Sequence, residues 1–120
     1  MGTATGLAKS FSSALSRRYR DAYSVAAGLV RFGNAVKRCS IILAGVVMIG
    51  AVHFRQDSWG YINWLFLLSG LLVAGITGAI GFMSGTFIAA QGQFMSAMLD
   101  TAVNTSPHLQ DSEKASIMTL

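Results

Sequence analysis

The residues that could do chemistry are few and scattered. Cys39 is the lone cysteine, and the two histidines are His53 and His108. A catalytic thiol needs a neighbouring base, and a metal site needs three or four converging ligands. His53 ends one apolar stretch and His108 follows Pro107 in the tail, so the topology derived below puts them on opposite sides of a membrane. They cannot share a metal ion. No phosphate loop, nucleophile elbow, HExxH motif or paired-cysteine motif occurs. We therefore expect no catalysis, no cofactor, no metal and no small-molecule substrate. Cys39 lies beside Arg38, a juxtamembrane setting that suits acylation. A small packing residue is the plainer reading.

The one sharp spacing belongs to small residues. Gly70, Ala74, Gly78, Gly81, Gly85, Ala89 and Gly92 follow one another at intervals of four, four, three, four, four and three. That is an eleven-residue repeat. On a helix it draws a nearly straight groove along one side, a glycine zipper. Small faces let helix backbones approach closely, where packing replaces the hydrophobic drive that lipid does not supply. Three occupants fit the groove: the chain's own first span, a second copy, or a different protein. Ser40, Ala44 and Ala51 give the first span a small face of its own.

Such a groove needs helices in a membrane, and the composition supplies them. The chain is 52% hydrophobic and 12% charged, against roughly 25% charged in a typical soluble domain. This excludes a disordered chain, a disulfide scaffold and an ordinary nucleic-acid-binding domain. Residues 39–54 and 58–99 carry no charge. About 20 apolar residues cross a bilayer as a helix. The expected fold is an all-α membrane protein, a two-span helical hairpin with amphipathic N- and C-terminal cytoplasmic helices. The first span covers 37–54, with Lys37 and Arg38 snorkelling to headgroups. The loop is 55–60 and the second span 61–84. Trp59, Tyr61 and Trp64 form an interfacial aromatic belt. No acid or base lies in either apolar core, which argues against a proton-coupled transporter.

The basic residues set the orientation. Lys9, Arg17, Arg18, Arg20, Arg31, Lys37 and Arg38 precede the first span, and the loop holds only Arg55. Positive charge stays inside, so both termini should be cytoplasmic. A bacterial inner membrane is the expected location, ahead of a mitochondrial inner membrane.

Residues 1–36 form a basic amphipathic region. Leu7, Phe11, Leu15, Tyr19, Ala22, Ala26, Leu29, Phe32 and Val36 recur every three or four positions, opposite Ser13, Arg17, Arg20, Ser24 and Arg31. The segment is Arg- and Ser-rich, as presequences are, but its helical pattern has no processing boundary. Its apolar side either lies on anionic lipid or packs on the protein's own tail. Arg17, Arg18, Arg20, Arg31, Lys37 and Arg38 are the expected anionic-lipid contacts. Gly28 and Gly33 could break this helix.

Residues 85–105 extend the second span as an amphipathic helix. Gln93, Ser96, Asp100 and Asn104 are polar, and Phe87, Phe94, Met95, Met98 and Leu99 are the expected partner contacts. The stretch has no Lys or Arg, so anionic lipid cannot hold it. Pro107 ends it, and in the tail, 106–120, Ser106 is placed to cap a short final helix.

These features favour a small non-enzymatic membrane protein acting as an accessory, assembly or scaffold subunit. Its partner would be a second copy or another membrane protein. A small oligomeric, holin-like pore is the alternative. A membrane-surface protein binding anionic lipid through the N-terminal helix is a third.

Overall fold

The computed structural model describes residues 2–53 and 64–119, with side chains from Ser10 onward. Three helices account for almost all of them: α1 (Gly2–His53), α2 (Trp64–Thr105) and α3 (Asp111–Met118). The only proline, Pro107, lies between α2 and α3, so neither long helix meets a residue that cannot donate its backbone hydrogen bond. α1 runs unbroken through Gly28 and Gly33, against the expected break. α2 is one helix from Trp64 to Thr105. The loop 55–60, with Trp59, and Tyr61 at the start of the second span lie outside the described residues.

Both long helices are long and apolar enough to cross a membrane. A core helix of a soluble protein passes the same test, but it is buried. Here only 6% of the most apolar window of each helix is buried. Ile41, Ile42, Ile49, Leu65, Leu72, Ile80 and Met83 all face outward. Water does not tolerate that much contiguous apolar surface, whereas lipid solvates it.

The chain divides into two compact units, Arg31–Ala89 and Met1–Val30 with Ala90–Leu120. Within Arg31–Ala89 the two long helices pack side by side. Gly33 meets Gly85 and Ala89, Ser40 meets Gly81, Ala44 meets Gly78, and Ala51 meets Gly70. Numbers rise along α1 as they fall along α2, so the pairing is antiparallel and hairpin-like.

The second unit has its own small core. Val103, Leu109 and Ile117 are buried, with Leu15, Tyr19 and Tyr23 of α1 packed against them. The N-terminal helix therefore covers its apolar side with the chain's own tail at these positions. Phe11 and Phe32, expected on that side, are exposed. The cap that starts α3 is not Ser106, which is buried behind α2. The Gln110 backbone N–H donates to the Glu113 carboxylate at 3.2 Å, one half of a capping box. Lys114 Nζ donates to the Asn104 carbonyl at 3.2 Å and so closes an open end of α2.

Candidate functional site

The small residues of α2 make a seam with α1. Ala74 and Ala89 are buried. A Cβ built on Gly85 would lie 2.5 Å from the Gly33 carbonyl oxygen and 2.8 Å from the Lys37 backbone nitrogen. One built on Gly33 would lie 2.5 Å from the Ala89 nitrogen. Those are backbone atoms, so no side chain fits at either position. In the other unit, Gly92 stands against Ala26 and Val30 in the same way. The groove is thus occupied by the chain's own first helix at six of its seven positions by direct contact, from Gly70 to Gly92. Gly75, off this line of small residues, has nothing within 4 Å of where a side chain would stand.

With that side spent, the five expected partner contacts separate. Met95 and Leu99 are half-buried. Phe87 is exposed in the paired spans, and in the terminal unit Phe94 is 68% and Met98 60% exposed. Sequence periodicity merged two sides of α2 because large apolar residues occur on both. The glycine spacing, continued to Gly92, separates them.

The basic residues also take different roles. Arg20 donates from Nη2 to Ser116 Oγ at 3.0 Å, a contact within the terminal unit. Lys37 lays its stem beside Gly85 and holds Nζ 6.0 Å from the Phe82 ring centroid. Arg17 and Arg18 are exposed, as are Arg31 and Arg38. Cys39 is an exposed free thiol. Trp64, the described member of the expected aromatic belt, is exposed at the start of α2.

Comparison with family models, with curated proteins and with solved structures finds no match. Function must be read from these surfaces.

A second long-range polar contact joins the Arg20–Ser116 bond in the terminal unit. The Tyr23 hydroxyl donates to the Asp100 carboxylate across the terminal unit. No local motif marks it, because the residues are 77 positions apart. Partial burial, then the hydrogen bond and the repulsion between carboxylate and phenolate, push the Tyr23 phenol from 10.0 to about 12. The folded unit therefore holds this proton more tightly than the unfolded chain does. The contact contributes fully below pH 10 and is lost as pH rises towards 12. Titration of tyrosinate absorbance should show one late-ionising tyrosine that disappears in Tyr23→Phe. Loss of a tyrosine that ionises near 10 instead would show that the contact does not hold the proton.

His108 packs edge-on against Phe11, with ring centroids 5.6 Å apart. Among the described residues, no three or more His, Cys, Asp or Glu side chains come together as metal ligands would.

Proposed function

We propose that this chain is a small non-enzymatic integral membrane protein that serves as an accessory or scaffold subunit. It would bind another membrane protein by helix–helix contact. The reading places two spans in a bacterial inner membrane, both termini in the cytoplasm.

The carrying observation is the exposure of Phe94 and Met98. Their unit also holds Arg17, Arg18, Arg20, Asp21, Asp100, Asp111, Glu113 and Lys114. So many charges exclude the bilayer's hydrocarbon as its surroundings. Apolar side chains there are not solvated by lipid, and a partner helix would cover them. A pore reading has less support. It needs the small-residue face to line a lumen, and α1 of the same chain fills that face.

Mild detergent extraction from the native membrane followed by native mass spectrometry tests the proposal. The expected result is a stoichiometric second protein that Phe94→Ser removes while helix content stays unchanged. A pure multiple of 12.7 kDa would overturn it in favour of self-association.

A further inference from the structure

Within Arg31–Ala89, α1 turns a second side away from the seam. Arg31, Asn34, Ala35, Arg38 and Cys39 line an open groove there of about 380 Å³. Arg31 and Arg38 are two helical turns apart, about 10 Å along the axis. Among the described residues, neither guanidinium has an ion-pair or hydrogen-bond partner. Asn34 lies between them and adds an amide donor, and Ala35 keeps the floor shallow.

The charge around this groove has one sign. The described residues of the unit include Arg31, Lys37 and Arg38 and not one Asp or Glu. Two unpaired guanidinium forks are the chemistry that recognises a phosphate diester. A headgroup that brings its own cation would find no carboxylate among these residues.

Below the arginines the same side of α1 becomes apolar. Ile42 is 65%, Val46 59% and Ile49 71% exposed. At Gly45 there is nothing within 4 Å of where a side chain would stand, which leaves a furrow among them. From Arg38 to Ile49 the helix rises about 16 Å, half of a hydrocarbon core of about 30 Å. That is the depth of one leaflet. A polar phosphate site thus opens onto an apolar track as long as one acyl chain.

We propose that this face binds a single anionic phospholipid. Arg31 and Arg38, with Asn34, hold its phosphate, and an acyl chain lies along Ile42, Gly45, Val46 and Ile49. This rests on the membrane reading above and deepens it: the contact is one discrete site rather than a diffuse attraction of all the basic residues.

The full chain in nanodiscs of equimolar phosphatidylglycerol and phosphatidylcholine provides the test. After release into native mass spectrometry, one phosphatidylglycerol should remain bound in preference to phosphatidylcholine. Arg31→Gln with Arg38→Gln should weaken that retention at least about tenfold. Arg17→Gln with Arg18→Gln removes the same charge elsewhere and should leave it intact, helix content being equal in all three. Equal loss in both double variants would overturn the site in favour of diffuse charge. Equal retention of phosphatidylcholine, or displacement of the lipid by inorganic phosphate, would overturn the choice of ligand. A chain that does not enter nanodiscs at all would defeat the membrane reading itself.

Discussion

Gly85→Leu should force the two apolar helices apart. A side chain at this position meets the Gly33 carbonyl and the Lys37 amide, both backbone. Neither can rotate aside, so a whole helix must shift. Overpacking typically costs about 1–3 kcal/mol when side chains can adjust. Here they cannot, and the cost should sit at or above the top of that range. A cross-link reads the separation directly. A Cβ on Gly78 would stand 3.1 Å from that of Ala44, so a disulfide there needs the helices to part by only a few tenths of an ångström. In a Cys39→Ala background, Ala44→Cys with Gly78→Cys should oxidise readily within one chain and run as a monomer. Adding Gly85→Leu should abolish the bond. Gly75→Leu, in open space, should leave it intact. Cross-linked dimers in place of monomers would mean that the seam joins two copies.

The second large effect belongs to the tail. Ile117 is 0% exposed and fills the small core with Val103 and Leu109. Deleting such a side chain to alanine costs about 2–5 kcal/mol. α3 has 8 residues, and a free helix shorter than about 12 residues is marginal in water. It keeps its helical form only while docked, so Ile117→Ala should cost α3 its structure rather than merely loosen it. Amide exchange across 111–118 should rise towards unprotected rates while 70–92 stays protected. Met118→Ala, one residue on and exposed, should change neither. Continued protection of α3 in Ile117→Ala would mean that its polar contacts, Lys114 to Asn104 and Arg20 to Ser116, suffice to hold it.

The helices and the seam were legible in the sequence because both depend on local period. Apolar length set the two long helices, and the Gly–Ala spacing from Gly70 to Gly92 marked the side of α2 that packs. Gly33 was misread as a weak point. Helix propensity treats glycine as a cost, and only the facing backbone of Ala89 reveals that this one is required. Its signal was nonetheless present: Ala26, Gly33 and Ser40 recur every seven residues and continue into Ala44 and Ala51. The roles of Arg20 and Tyr23 were not legible. Their partners, Ser116 and Asp100, are 96 and 77 positions away, and no local pattern encodes such a distance. The separation of Phe94 from Met95 was within reach of the sequence, because the glycine spacing continued to Gly92 marks the packed side of α2.

The core formed by Leu15, Tyr19 and Tyr23 with Leu109 and Ile117 also fixes an order of events during synthesis. Its two halves are nearly a chain length apart, so the contact forms late, after the intervening apolar segments have been made. Until then the growing chain shows an uncovered tyrosine- and leucine-bearing surface. Closure of this core hides it. A product that stops short of Leu109 would keep that surface open, where a protease or chaperone that samples exposed apolar residues can distinguish it from the finished protein.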